Sequence, residues 1–145
     1  MKIKLDYPIQ YMKIIVERMQ KLVNRVLQDY DLTFSQLRIL LCVYVVETES
    51  CTMKELEQIL QVSQQSVAGT VRRLEEKDYL LSYSDKNDQR VKRVELTEKG
   101  RDMAFLARDK MVEVNKEMFR PLSQEEQDEM TEMLKKVYFE MYNED

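Results

Sequence analysis

TMKELEQILQVSQQSVAGTVRRLEEKDYLLSYSDKNDQRVKRVELTEKG, residues 52–100, decides how this chain folds. Thr52-Met53-Lys54-Glu55 has the capping-box form, a hydroxyl at the cap and a carboxylate three residues on. It opens a helix to about Leu60, with Leu56, Ile59 and Leu60 facing inward. Gln61-Val62 makes a turn, and Ser63 caps a second helix that runs from Gln64 to about Lys77. Val67, Val71 and Leu74 fall at i, i+4 and i+7 and form its buried stripe. YLLSYS alternates as a strand does, DKNDQR is a polar turn, and VKRVEL alternates again with Val91, Val94 and Leu96 apolar. Helix, tight turn, helix and basic hairpin in that order predict a winged helix-turn-helix.

The side chains of the second helix divide by face. Opposite Val67, Val71 and Leu74 stand Gln64, Gln65, Ala68, Gly69 and Arg72, with Ser66 and Arg73 at the edge. Glutamine can read an adenine edge through paired hydrogen bonds, and arginine can read guanine or grip phosphate. Ala68 and Gly69 are small enough for the backbone to approach a groove floor, and the amides after Ser63 can face a phosphate. The hairpin tip offers Lys86 and Arg90, and an arginine at that place can enter a narrow minor groove. Asp88 is unusual beside DNA, so it is assigned a wing-stabilising role, holding either Arg73 or Arg90.

Outward from this segment the chain is helical. It has 145 residues with only two Gly and two Pro, so breaks are few. Upstream, Ile9, Met12, Ile15, Val16, Met19, Leu22, Val23, Val26, Leu27 and Tyr30 repeat at spacings of three and four, behind Pro8 at a first-turn position. Asp31-Leu32-Thr33 breaks that face, and Thr33 caps a helix through Leu37, Leu40, Leu41 and Tyr44. Residues 47–51 read as a linker. Downstream, Thr97 opens a helix through Met103, Leu106, Met111, Val114 and Met118; Pro121 interrupts it, and Ser123 caps a final helix. The expected fold is therefore mainly α with a small β-hairpin wing: a winged helix-turn-helix lobe at 32–100, and a helical dimerisation region at 1–31 and 101–145, within a single domain of 1–145.

Composition narrows the functional classes. Net charge is −4, and it is unevenly spread. Residues 1–51 carry seven basic against six acidic side chains, residues 52–100 nine against nine, and residues 101–145 seven against twelve. DNA affinity would have to come from local placement of Arg72, Arg73, Lys77, Lys86, Arg90, Lys92 and Arg93, with the acidic C-terminal helices turned away from the DNA. There is no histidine, and the only cysteines are Cys42 and Cys51, nine apart, so no zinc or other metal site is expected. Cys42, inside LRILLCVYVV, reads as a buried apolar residue; Cys51, at a loop-helix junction, is a candidate thiol. No cofactor is expected, and no catalytic nucleophile has a base beside it. No apolar run is long enough for a membrane span, and the N-terminus lacks the core and cleavage site of a signal peptide, which points to a cytoplasmic protein without a membrane partner.

With those residues in place, TMKELEQILQVSQQSVAGTVRRLEEKDYLLSYSDKNDQRVKRVELTEKG resembles the core of the MarR (multiple antibiotic resistance regulator) family, carried most clearly by RRLEEKDYL, DQR and VELTEKG. LTFSQLRILLCV resembles that family's second helix, and the flanking helices extend the likeness over nearly the whole chain. Asp78 departs from it, standing where the family usually has glycine after the helix, so the turn into the wing is slightly strained. The resemblance implies a double-stranded-DNA-binding transcription regulator. It implies a homodimer through the first and last two helices, consistent with apolar positions such as Met118, Phe119, Leu122, Met133, Val137 and Tyr138. It also implies a repressor released by a small-molecule effector or by oxidation, with an effector crevice walled by residues such as Met12, Tyr44 and Met103. The first helix lacks the cysteine of the family's oxidant sensors. The acidic total keeps one alternative open, a winged-helix protein-interaction module without DNA binding.

Overall fold

Capping chemistry places the helix starts, and a few left-handed residues place the turns. The computed structural model describes residues 6–48 and 50–143. The leader reading of residues 1–5 and the linker reading of Glu49 lie outside the described residues. The described residues form six helices and three strands: α1 (Pro8–Leu27), α2 (Phe34–Val45), β1 (Ser50–Thr52), α3 (Met53–Leu60), α4 (Gln64–Glu76), β2 (Leu80–Ser84), β3 (Lys92–Leu96), α5 (Glu98–Phe119) and α6 (Gln124–Asn143). The chain divides into two compact units, Met1–Met111 and Val112–Asp145.

Thr33 accepts the Gln36 amide while the Gln36 side chain accepts the Thr33 amide, so α2 starts on a closed capping box. Thr52 and Glu55 do the same for α3, at 3.1 and 2.7 Å, and Ser123 and Glu126 for α6. Each such cap is worth about 1 kcal/mol, because it satisfies amides that otherwise have no partner. Asp31, Gln61 and Asp78 take the left-handed conformation, with φ of 52°, 53° and 61°. They end the 3-10 turn after α1, the helix α3 and the turn beyond α4. Asp78 is the turn residue for which strain was expected, and it occupies the region that favours glycine.

The core of the first unit lies beneath α2. Leu37, Leu40 and Val43 of α2 are buried, as are Leu56 and Leu60 of α3 and Val67, Val71 and Leu74 of α4. Tyr79, Leu80, Val94 and Leu96 close the layer from the sheet side. Each fully buried aliphatic side chain contributes roughly 1.5–3 kcal/mol, so this cluster holds the helix-turn-helix against the sheet.

Several expectations are corrected. Residues 47–51 are not wholly a linker: Ser50–Thr52 form β1, which pairs antiparallel with β3, so the strand order is β1-β3-β2. Three residues are too few to show a period of two. Cys51 therefore lies in a strand opposite Val94, buried at the core face, and not at a loop-helix junction. Ile59 points outward at 51% exposure, because Leu56 and Leu60 alone fill the seam of α3. Val91 precedes β3 in a turn, bonding back to Asp88. On α5 the buried residues are Gly100, Ala104, Ala107 and Val114, while Met103, Leu106, Met111 and Met118 are only half-buried. Small residues allow close approach there, whereas a reading by apolar period follows the large ones.

Helix α1 also splits along its length. Val23 and Leu27 are fully buried, while Ile9, Met12, Ile15 and Val16 are 42–72% exposed. Helix α6 leaves Met133, Val137, Tyr138, Phe139 and Met141 more than half exposed. Among the described residues no helix is long and apolar enough to cross a membrane.

Candidate nucleic-acid interface

Helix α4 owes its orientation to its buried stripe. With Val67 and Val71 at most 2% exposed and Leu74 fully covered, the opposite face must look outward. Gln64, Gln65, Ala68, Arg72 and Arg73 are exposed there, and Gly69 is half-buried. The Ser63 hydroxyl accepts the Ser66 amide and donates to the Ser66 hydroxyl, both at 3.2 Å, so both serines sit at the helix start. Among the described residues nothing hydrogen-bonds or ion-pairs with the side chains of Gln64, Gln65, Arg72 or Arg73. A methyl group added at Gly69 would meet nothing within 4 Å, so the middle of this face is a shallow gap between polar ends.

The C-terminal end of α4 is tied down. Lys77 donates to the Asp31 carbonyl and, at 3.1 Å, to the Gln36 side chain, and it lies 3.4 Å from the Asp31 carboxylate. Lys77 was counted with the basic residues of the segment, yet its ammonium is engaged inside the protein. Lys99 donates to the Lys77 carbonyl and stacks over the Tyr79 ring. Arg38 of α2 donates to the carbonyl of Leu60, closing the end of α3, and borders the same groove along α4 as Ser66, Thr70 and Arg73.

The wing is ordered by its own acids. Asp88 holds Arg90, not Arg73, in a two-pronged pair with both bonds at 3.1 Å, and it also accepts the Arg90 amide at 3.0 Å. Those bonds, the side-chain one first, hold the Asp88 carboxyl below its ordinary pKa. The Arg90 side chain remains 90% exposed at the tip, and Lys86 is exposed beside it. Asp85 accepts the Asn87 amide at 2.8 Å and meets the Arg93 guanidinium at 3.4 Å; its pKa is likewise lowered, chiefly by the Asn87 amide.

Burial pushes the thiols of Cys42 and Cys51 upward, which leaves them protonated at neutral pH. Among the described residues no group of three His, Cys, Asp or Glu is placed to hold a metal ion.

Of the residues named from sequence, Gln64, Gln65, Ser66, Ala68, Arg72 and Arg73 are exposed on α4, and Lys86 and Arg90 are exposed at the wing tip. Sequence reasoning missed the roles of Arg38, Asp85 and Arg93. Arg38 is the one charge in an otherwise apolar or neutral α2, and Arg93 is a charge on the central strand. Arg38 was visible as a lone charge in an apolar helix, whereas Arg93 sat on the polar side of an alternating strand and gave no such signal.

Two helices at a tight turn, a core beneath them and a three-stranded wing beside them define a winged helix-turn-helix protein. Residues 30–90, less than half of the chain, match the model of the MarR family. A mutant MarR from E. coli complexed with operator DNA is similar at 22% identity and a TM-score of 0.79, over 88% of this chain and 91% of that one. The S. aureus MepR–DNA complex is similar at 24% identity and a TM-score of 0.82, over 94% and 99%. BpsR of Bordetella bronchiseptica, whose DNA binding is regulated by 6-hydroxynicotinic acid, is similar at 20% identity and a TM-score of 0.79, over 92% and 94%. At these identities the structures speak to the fold. No curated protein sequence matches the chain.

Proposed function

We propose that this chain binds a pseudo-palindromic operator as a homodimer and represses transcription until a small molecule releases it. The observation that carries the DNA reading is the outer face of α4. Gln64, Gln65, Arg72 and Arg73 are exposed there with no partner among the described residues, around the gap at Ala68 and Gly69. In the proposed complex α4 lies in the major groove. Gln64, Gln65 and Arg72 address base edges, Ser63, Ser66 and Arg73 the backbone, and Arg90 and Lys86 the flanking minor groove.

Residues 32–100 form the reading lobe, with residues 1–31 and 101–145 as the dimerisation region. The uncovered apolar faces of α1 and α6 support that assignment. Ile9, Ile15 and Val16 on one and Met133, Val137 and Met141 on the other are costly to leave in water. A two-fold dimer presents two α4 helices to half-sites one helical turn apart, about 34–36 Å. An effector is proposed because the DNA binding of the similar BpsR is regulated by 6-hydroxynicotinic acid.

Selection from a randomised DNA pool tests the reading. The recovered sequences should share an inverted repeat with half-sites about one turn apart. Recovery of unrelated sequences, or of none, would refute it.

A further inference from the structure

Ser50 is one of two buried polar residues among the described residues, at 8% exposure, and three side chains converge on it. Its hydroxyl accepts from the Arg93 Nε at 3.1 Å and lies 3.3 Å from the Tyr83 hydroxyl. Its carbonyl accepts from the Thr48 hydroxyl at 3.2 Å and from Arg93 Nη2 at 3.4 Å. The third nitrogen of the same guanidinium, Nη1, meets Asp85 Oδ2 at 3.4 Å, where the wing loop leaves β2. The Arg93 and Asp85 side chains are only 27% and 20% exposed, so water screens this pair less than it screens the tip.

Register explains the convergence. Arg93 stands on the central strand, opposite Tyr83 on one side and Thr52 on the other. Val94 and Glu95 also have a neighbour on each edge strand, but it is the Arg93 side chain that reaches both Ser50 and Asp85. One planar guanidinium joins the helix-turn-helix side, through Ser50, to the base of the wing loop, through Asp85. The loop is closed just beyond by the bond from the Asp85 amide to the Val91 carbonyl, at 2.8 Å. The tip that carries Arg90 thus hangs from the Asp85–Arg93–Ser50 chain.

We infer that Arg93 is a positioning residue for DNA binding: it touches no DNA, and it fixes the wing against β1 so that Arg90 meets the groove without first being ordered. This rests on the DNA-binding reading above. A wing ordered in advance avoids the cost of immobilising its side chains on binding. Losing the tie should therefore weaken binding by about three- to tenfold.

Three variants separate this role from its rivals: Arg93→Met, Asp85→Ala and Arg90→Ala. Their affinities for the selected operator are measured across a salt series, with melting temperatures and amide exchange of the free protein alongside. Arg93→Met and Asp85→Ala should both weaken binding, speed exchange at the Asn87 and Val91 amides, and leave the slope of log affinity against log salt unchanged. Arg90→Ala should make that slope shallower by about one, if it grips the backbone. Asp85→Ala is the sharpest arm. It removes a negative charge near DNA, so charge alone would tighten binding, whereas lost positioning loosens it. Double substitution at 85 and 93 should cost no more than either single change.

Tighter binding by Asp85→Ala, a shallower slope in Arg93→Met, or unchanged affinity and exchange in both would overturn the inference. Such results would leave the operator reading intact, provided the unaltered chain binds its site and Arg90→Ala weakens it. If the unaltered chain binds no site, the proposed function fails and the role of Arg93 in DNA binding fails with it.

Discussion

Replacing Gly100 by alanine sets two opposed effects against each other, and the structure says which wins. Gly100 lies in the first turn of α5, where alanine is the better helix former by about 0.5–1 kcal/mol. Propensity alone therefore predicts a more stable protein. A Cβ there would stand 1.8 Å from the Tyr79 carbonyl oxygen and 2.7 Å from its carbon. Those are backbone atoms, and they are held. The Thr97 amide donates to the Tyr79 carbonyl at 3.1 Å, the Tyr79 amide donates to Leu74, and the Thr97 hydroxyl donates to Asp78 at 2.6 Å and accepts the Gly100 amide at 2.9 Å. Making room for the methyl group moves the junction between α4 and β2. Overpacking of that kind costs about 1–3 kcal/mol, and a lost hydrogen bond about 1 kcal/mol more. The net expectation is a loss of about 1–3 kcal/mol, a fall in melting temperature of roughly 3–10 °C by calorimetry. Gly69→Ala is the internal control. It is also helical but has open space around it, so it should raise the melting temperature by about 1–3 °C. A melting temperature for Gly100→Ala at or above that of the unaltered chain would refute the packing argument.

Other outcomes follow from the same structure. Arg90→Ala should weaken operator binding by about 1–3 kcal/mol in a fluorescence anisotropy titration; an unchanged affinity would remove Arg90 from the interface. Thr52→Ala breaks the capping box of α3 and should lower unfolding free energy by about 1–2 kcal/mol in a urea titration, with no effect counting against the cap. Glu55, Asp85 and Asp88 all have lowered pKa values in the folded protein. Their stabilisation is complete above the ordinary carboxylate range, about pH 4, and is lost only as pH falls through the folded values. With no histidine in the sequence, melting temperature should be flat between pH 6 and 8 and decline below about pH 4; a step near pH 6.5 would contradict this. The raised thiols predict slow labelling of Cys51 by a maleimide in the native protein at pH 7 and fast labelling after denaturation.

Much of the fold was legible because the chain marks its own boundaries. Thr33, Thr52, Ser63 and Ser123 each cap the helix expected of them, and Val67, Val71 and Leu74 turned α4 the right way. The failures share a cause: they lie where a partner across space decides the outcome. β1 exists because β3 has an open edge, and Ser50 and Thr52 carry no strand pattern of their own. Ala104 and Ala107 are buried because a close neighbour needs small residues, which an apolar period cannot report. The apolar period of α1 ran unbroken from Ile9 to Tyr30 and could not show that Val23 and Leu27 are buried while Ile9, Met12, Ile15 and Val16 are exposed. The binding face was readable residue by residue, but its supports were not. Asp88 had two candidate partners in sequence, and only geometry chose Arg90. Arg93 was counted as one more positive charge, and its convergence on Ser50 and Asp85 depends on a strand register that no local pattern encodes.

The central claim is that α4 reads DNA sequence. Affinity for the selected operator and for a scrambled duplex of equal length, measured across the same salt series, tests it most directly. Both should fall linearly in log affinity against log salt, with the operator bound about a thousandfold more tightly at physiological salt. Substituting alanine for Gln64, Gln65 and Arg72 together should collapse that gap while leaving the scrambled duplex bound nearly as before. Equal affinity for the two duplexes, or a gap that survives the triple substitution, would contradict the claim.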